Sequence, residues 1–300
     1  MQSSGPRSSS IQPVPGLLTR SSGLPWALVA VAFWGTSSLV IVFLGDVPAG
    51  ALLLATHAIG AAALSVLAVA RHSPTRTPSI RITPRFVGVA LLGTLVYQTC
   101  YVNGLRLAPA GEANLLNYLW PTFTAALAVP LRGEHLSKRV SVALLAGLAG
   151  SAVLVGGLAA GEYPQRYLGY TLAFGGAVAW GAYSNLIARL PGSAVDHQRC
   201  ILVIGALAFL PVAALEGFGS LGLHDVAGVA FLGIGSVALA AVCWQSAMAR
   251  GPVGLVASAA YVTPLLSTLM LVVLAGQPAD WRLGAGLLLV LIAGVLSSRS

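Results

Sequence analysis

The amino-acid sequence predicts an all-α polytopic membrane protein, with ten transmembrane helices arranged as two inverted five-helix repeats around a central cavity. Three observations lead to this fold class. The 300 residues are 57% hydrophobic and only 8% charged, with a mean hydropathy of +0.86, whereas a soluble domain is about 25% charged. Apolar stretches long enough to cross a bilayer recur along nearly the whole chain. Motifs in its first half return in its second half.

Proline, glycine and charged residues divide the apolar sequence into ten predicted spans. These spans lie near 25–44, 49–70, 86–107, 111–131, 140–158, 167–189, 199–216, 225–249, 253–275 and 282–298. Residues 1–24 are rich in Ser, Pro, Gly and Arg and contain no apolar core of signal-peptide length, so we predict a disordered tail. The 35 glycines and 17 prolines are typical of closely packed, interrupted membrane helices rather than of β-barrel strands.

The distribution of Lys and Arg among the loops predicts the orientation of the chain. With the N-terminus inside, only Arg106, Arg166 and Arg282, out of 16 Lys and Arg, fall in outer segments. Both termini are therefore expected in the cytoplasm, which requires an even number of spans. Because the arginines lie in loops between apolar spans, the net charge of +8 does not indicate a nucleic-acid partner.

The two halves of the chain share motifs at matching positions. "FWGTSS" at 33–38 in span 1 resembles "AWGAYS" at 179–184 in span 6, and residues 107–123 align without gaps with residues 250–266. The two repeats are predicted at 25–158 and 167–298. Because each repeat has five spans, an odd number, the second copy enters the membrane from the opposite side. Inverted repeats place a substrate site near the midplane between the halves, which favours a transporter.

The same motifs carry a family resemblance. The "WG" pairs of spans 1 and 6, the "Y-x-x-P" of spans 4 and 9 and the "LRGE" loop before span 5 resemble the EamA-type, ten-helix members of the drug/metabolite transporter (DMT) superfamily. "YQTCYVNG" and "NYLWPTF", in spans 3 and 4, look most like the YddG type of aromatic amino acid exporter. The resemblance implies a basket of ten helices, a location in the bacterial inner (plasma) membrane and export of metabolites. Gln277 departs from the pattern, because many members have Glu there.

Two prolines at repeat-related positions indicate the wall of the central cavity. Pro121 in span 4 frees the backbone carbonyl of Asn117, and Pro264 in span 9 frees that of Ala260. In hydrocarbon a freed carbonyl must find a partner or face a water-filled cavity. The alternative is that Pro121 is only a packing kink and that Trp120 beside it faces lipid.

The side chains predicted to contact substrate are amides and aromatic rings, together with the two prolines. Aromatic rings bind planar or cationic ligands with roughly 0.5–2 kcal/mol per contact, although any single ring could instead serve core packing. The candidate substrate-binding residues are Trp34, Tyr97, Tyr101, Asn114, Asn117, Tyr118, Trp120, Pro121, Trp180, Trp244, Tyr261 and Pro264.

The placement of charge narrows the class of substrate. All eight Asp and Glu map to loops or span ends, so the buried carboxylate that a proton-driven drug exporter requires is missing. Buried Lys or Arg to meet a phosphate ester is missing too. A neutral or zwitterionic amino acid fits best. His57 is the one titratable group placed mid-membrane, either as a proton relay or as a neutral imidazole bonded across a helix interface.

The sequence therefore predicts a secondary transporter that exports amino acids, aromatic or other neutral ones, and related metabolites by alternating access. A drug or nucleotide-type metabolite transporter of the same superfamily is the alternative. An integral membrane enzyme fits less well, because no HExxH, GxSxG or paired-acid constellation occurs in the spans. No cofactor and no metal are expected. The expected partners are the lipid bilayer and an amino acid, without nucleic acid, and the protein is expected to function as a monomer.

Overall fold

The fold is helical throughout the part of the chain that the computed structural model describes, which is residues 23–70, 80–133, 135, 138–155, 163–250, 259–260 and 262–298. The helices are α1 (Leu24–Phe43), α2 (Ala49–Ala70), α3 (Pro84–Leu91), α4 (Tyr97–Leu107), α5 (Ala110–Asn117), α6 (Trp120–Arg132), α7 (Lys138–Val155), α8 (Arg166–Ile187), α9 (Ala194–Glu216), α10 (Leu223–Ala230), α11 (Ala240–Arg250), α12 (Val262–Leu274) and α13 (Trp281–Ser298). All but the last two residues of the predicted tail at 1–24 lie outside these ranges.

These helices form the ten predicted spans: α1, α2, α3–α4, α5–α6, α7, α8, α9, α10–α11, α12 and α13. Five of the described stretches are long and apolar enough to cross a membrane by themselves, namely Leu24–Phe43, Ala49–Val69, Pro84–Leu107, Ala194–Glu216 and Leu223–Ala247. Shorter apolar helices occur at Ser141–Val153, Val262–Leu274 and Trp281–Leu296. The predicted all-α membrane fold is confirmed, and the described helices agree with a count of ten spans.

Local sequence explains where several helices begin and end. Thr83 accepts a hydrogen bond from the Phe86 backbone N–H at 3.1 Å, and Pro84 opens α3, so the first turn is capped. Ser193 caps α9 in the same way by accepting from Asp196 N at 3.2 Å. Gly133, with φ of 75°, ends α6 in the left-handed conformation that favours glycine.

Span 4 is broken at the predicted point. Helix α5 ends at Asn117 and α6 begins at Trp120, with Tyr118 and Leu119 forming a turn between them. Pro121 has no N–H and its ring excludes the carbonyl four residues earlier, so the regular helix cannot continue through this turn. The break turns the amide and aromatic side chains of this segment toward the centre of the molecule.

Spans 3 and 8 each contain a π-helical stretch at repeat-related positions. In span 3 it runs from Leu92 to Val96 between α3 and α4, and in span 8 from Phe231 to Leu239 between α10 and α11. A π-helical turn shifts the register of the following residues around the helix axis, and such turns are frequent at functional sites. Both stretches contribute residues to the lining of the central cavity.

The packing of the spans follows the internal repeat. Helix α2 packs along α9, and α7 packs along α13, so spans 2 and 5 each contact their own repeat counterpart. Helix α8 contacts α4 and α6, while its counterpart α1 contacts α11 and α12. The same close approach occurs twice: Gly181 lies against Phe123, and Gly35 lies against the repeat-related Leu266. The two five-helix repeats therefore enclose one central space.

Two polar contacts join helix ends at one side of this bundle. The Tyr170 hydroxyl donates a hydrogen bond to the carboxylate of Glu112, which is buried at the start of α5. The side-chain oxygen of Gln277 accepts from Ala110 N at 3.0 Å and so caps α5. A neutral amide supplies this cap as well as a carboxylate would, which explains how the chain tolerates Gln277.

Candidate functional site

A cavity lies between the two halves. Its volume, measured as space open to the centres of water molecules, is about 130 Å³. One water needs about 10–15 Å³ by this measure, so the cavity has room for several waters or one small organic solute. Its lining residues come from both repeats. None of the described lining residues is Asp, Glu, Lys or Arg.

The structure brings most of the sequence-predicted residues together at this cavity. Those that line it are Trp34, His57, Tyr97, Tyr101, Asn117, Tyr118, Trp120, Pro121, Trp180 and Pro264. Two others lie behind the lining: Asn114 is completely buried, and Trp244 packs against Trp34 with ring centroids 5.6 Å apart. Tyr261 lies outside the described residues. The prolines at the span breaks thus mark the cavity, and Trp120 faces it rather than lipid.

Aromatic rings from both halves form a continuous cluster in the lining. Tyr97 and Tyr101 stack nearly parallel, with centroids 5.9 Å apart, as their four-residue spacing on one helix requires. The indole of Trp180 lies 4.6 Å from the Tyr97 ring and 5.1 Å from the Tyr183 ring. Trp120 meets Trp180 edge to face. Such a cluster offers flat, apolar surface to a planar group.

A buried hydrogen-bond network supports this cluster from behind. The Tyr101 hydroxyl donates to Asn114 Oδ1 at 3.2 Å, and Asn114 Nδ2 donates to Ser267 Oγ at 2.8 Å. Ser267 in turn donates to the carbonyl of Pro264 at 3.3 Å. Asn114 and Ser267 are both fully buried. The network ties the aromatic wall of the first half to the proline-containing span of the second.

Two oxygen atoms of lining residues are buried without hydrogen-bond partners. Asn117 Oδ1 and Thr263 Oγ1 are buried, and neither makes a hydrogen bond within the described part of the chain. The amide nitrogen of Asn117 lies 3.5 Å from the Tyr97 hydroxyl. A buried polar atom without a partner is costly, and both oxygens are closed off from the cavity itself, with Asn117 Oδ1 beside Gly176 of α8.

His57 lines the cavity from α2 and is almost completely buried. Its Nδ1 lies 2.7 Å from the carbonyl oxygen of Leu53. Since a carbonyl can only accept, Nδ1 carries the proton, and Nε2 of the neutral ring is an acceptor. The ring also contacts Phe209, with centroids 5.2 Å apart. The geometry thus fixes the tautomer of the one imidazole in the lining.

The chain matches the EamA-like transporter family over residues 21–156 and 167–299. This protein belongs to the EamA-like transporter family. It is 34% identical over 262 residues to the aromatic amino acid exporter YddG of Ancylobacter novellus, covering 85% of this chain and 90% of that relative.

Two further comparisons agree with the family. The chain is 27% identical over 294 residues to the aromatic amino acid exporter YddG of Escherichia coli (strain K12), covering 91% of this chain and 95% of the relative. A solved crystal structure with 31% sequence identity superposes with a TM-score of 0.65, covering 92% of this chain and 96% of the other. This EamA-like transporter is therefore a multi-pass membrane protein with a small-molecule substrate.

Sequence reasoning missed several polar residues in the cavity of this EamA-like transporter. Ser37 and Ser236 contact each other across the halves at 2.5 Å, and Trp34 Nε1 donates to the carbonyl of Ser236 at 3.1 Å. Other missed lining residues are Thr56, Thr94, Tyr183, Gln198 and Thr263. The internal repeat contained a signal for one of them, because Thr263 aligns with the predicted Trp120.

Proposed function

We propose that this protein exports amino acids, aromatic or other neutral ones, and related metabolites across the bacterial plasma membrane by alternating access. One observation carries the proposal: the cavity between the repeats combines a cluster of aromatic rings with no charged side chain in its described lining. The relatives named as aromatic amino acid exporters support the same class of substrate.

The substrate would be held by stacking and by a few hydrogen bonds. Tyr97, Trp120 and Trp180 offer ring faces and edges for an aromatic or apolar side chain. Polar side chains of the lining, among them Thr56, Thr94 and Gln98, offer hydrogen bonds to the polar groups of the solute. A zwitterion carries no net charge, so a lining without formal charge avoids both the desolvation of a fixed ion and tight retention of the solute.

The arrangement of the halves supports alternating access. Inverted repeats around a site at their interface allow one set of spans to rock against the other and expose the site to each side in turn. We propose the units of this motion as residues 25–158 and 167–298, with both termini in the cytoplasm. The transporter would act as a monomer, without nucleic acid and without enzymatic turnover, since one chain contains both repeats.

The alternative substrates from the same superfamily fit the cavity less well. A nucleotide-type metabolite would bring phosphate groups into a space whose described lining holds no Lys or Arg to pair them. A lipophilic cation exchanged for protons would need a carboxylate there. His57 remains the candidate if transport is coupled to protons.

Counterflow in proteoliposomes tests the proposal. Liposomes loaded with unlabelled phenylalanine and containing the purified protein should accumulate labelled phenylalanine transiently, and accumulation should saturate with concentration. Empty liposomes are the control, and a parallel series with an imposed pH gradient tests proton coupling. Counterflow of a nucleotide sugar but not of any amino acid, or an unsaturable ion current, would contradict the proposed function.

A further inference from the structure

The cavity is nearly symmetric in position but not in chemistry. Gly60 of α2 lies against Leu202 and Val237, with a Cβ atom at Gly60 placed 3.1 Å from Leu202 Cδ1 and 3.2 Å from Val237 Cγ2. Gly205 of α9 lies in the same way against His57 and Thr94. The repeat therefore pairs His57 with Leu202 and Thr94 with Val237, and all four residues line the cavity.

The same registers pair two more lining positions. Thr56 pairs with Ile201, because each directly precedes one member of the first pair. Gln98 pairs with Ala241, because each follows one member of the second pair by four residues. We name the first-half set, Thr56, His57, Thr94 and Gln98, the polar face. Its four repeat counterparts, Ile201, Leu202, Val237 and Ala241, form the apolar face. Each polar side chain thus has an apolar side chain at the equivalent place in the other half.

Three members of the polar face have already used their donor hydrogens. Thr56 Oγ1 donates to the carbonyl of Leu53 at 3.1 Å, and Thr94 Oγ1 donates to that of Ala90 at 2.8 Å. His57 donates through Nδ1 to the same Leu53 carbonyl at 2.7 Å. What remains free on these groups is lone pairs, on two hydroxyl oxygens and on His57 Nε2. They suit a group that has several N–H donors and no acceptor, which is an ammonium.

The polar face is compact enough for one such group. A Cβ atom at Gly205 would lie 3.1 Å from His57 Nε2 and 3.1 Å from Thr94 Cβ. His57 Nε2 and Thr94 Cβ, the carbon that bears the hydroxyl, are therefore no more than about 6 Å apart, so the imidazole and the hydroxyl are neighbours in the lining.

Gln98 supplies the hydrogen-bond donors that the other three side chains lack. It lines the cavity and is only partly buried, and its side-chain amide makes no hydrogen bond to any described residue. Its amide offers two N–H donors. In a lining without Lys or Arg, an unused amide is suited to pair with a carboxylate, and it lies on the same helical span as Thr94.

We propose that the polar face is the head-group subsite of this transporter: Thr56, His57 and Thr94 accept from the α-ammonium group, and Gln98 donates to the α-carboxylate. The inference rests on the proposed function, since it assigns the orientation of an amino acid within the cavity. The substrate side chain then lies toward the apolar face and the aromatic rings. The four pairs of polar and apolar positions favour this orientation over the one related to it by the two-fold symmetry of the repeats.

Three competitors of labelled phenylalanine counterflow test the assignment: unlabelled phenylalanine, phenethylamine, which lacks the carboxylate, and 3-phenylpropionate, which lacks the ammonium. Gln98→Ala should weaken competition by phenylalanine about tenfold and leave phenethylamine unchanged, because a hydrogen bond to a charged group is lost. Thr94→Val should weaken competition by phenylalanine and by phenethylamine to the same extent. Competition by 3-phenylpropionate should stay unchanged. Each replacement introduces the residue found at the repeat-related position: Gln98 becomes Ala, as at Ala241, and Thr94 becomes Val, as at Val237.

Val237→Ala is the matched control, because it changes the apolar face without removing a polar atom, and its effect should not distinguish phenylalanine from phenethylamine. If Gln98→Ala does not accumulate in the membrane, Gln98→Leu, of nearly the same volume, carries the same expectation. Equal loss for all three competitors, or no loss for any, would overturn the head-group subsite while wild-type counterflow still supports amino acid transport. Absence of counterflow in the wild type would instead contradict the proposed function itself.

Discussion

Trp120 and Trp180 meet edge to face across the boundary between the two halves, with ring centroids 6.3 Å apart and ring planes at 77°. Trp120 follows the break in span 4, and Trp180 lies within α8 of the second repeat. Both rings line the cavity. Any rocking of one half against the other is therefore expected to change this contact.

Trp120→Ala should weaken transport of aromatic amino acids selectively. Loss of one stacking ring is expected to reduce the apparent affinity for phenylalanine or tryptophan roughly five- to tenfold, with a smaller effect on alanine. Initial rates of counterflow over a concentration series measure the change. Trp281→Ala is the control, because Trp281 is largely exposed at the start of α13. Equal loss for all three amino acids would indicate a general folding or gating defect instead.

Asn114→Leu should destabilise the protein. The substitution leaves the Tyr101 hydroxyl and Ser267 Oγ without their partner in a fully buried position, at a cost of about 1–3 kcal/mol. The unfolding temperature of the purified protein in detergent measures this effect. Asn103→Leu serves for comparison, since the Asn103 amide bonds only to the carbonyl of Thr99 in its own helix. An unfolding temperature for Asn114→Leu no lower than that for Asn103→Leu would mean that the network does not hold the halves together.

His57→Leu should remove the dependence of transport on pH. Protonation of Nε2 converts an acceptor into a donor, so wild-type affinity for a substrate ammonium is expected to fall as the pH is lowered, whereas the leucine variant should respond little. The residues recorded around the ring, Leu53, Thr94, Gly205 and Phe209, carry no charge that would mask this titration. Counterflow rates over a pH series give the profile.

The same preparation separates two roles of His57. If the imidazole only accepts a hydrogen bond from the substrate, an imposed pH gradient should not drive uphill accumulation. If it relays protons, the gradient should drive accumulation in the wild type and fail to do so in His57→Leu. A wild-type pH profile that persists in the variant would assign His57 a structural role.

Both termini should face the cytoplasm. In a variant with the three native cysteines replaced, single cysteines at Ser10 and Ser298 should resist an impermeant thiol reagent in intact cells and react after permeabilisation. A cysteine at Ser220, in the exposed segment between α9 and α10, should react in intact cells. Labelling of position 10 or 298 in intact cells would contradict the orientation predicted from the loop arginines.

Much of the candidate site could be predicted because it depends on local chemistry. Pro121 removes a backbone hydrogen bond wherever span 4 lies, and Tyr97 and Tyr101 share a helical face through their spacing alone. The cavity location followed from the alignment of Pro121 with Pro264. Asn114 was the exception within this segment: it shares the helical face of Asn117, yet it turns to Ser267 of another span, a contact that no pattern within one helix reveals.

The sequence by itself determined the ten spans and the two repeats, because both depend on the apolar length that a bilayer requires and on motifs that recur along the chain. Only the tertiary structure decided which side chains of spans 3 and 8 face the cavity, since the π-helical stretches rotate each face away from the regular helical period. It also decided that His57 and Thr94 meet beside Gly205 while Leu202 and Val237 meet beside Gly60. These contacts join residues of different spans, so their chemistry is set by how the halves pack and not by the order of residues in either one.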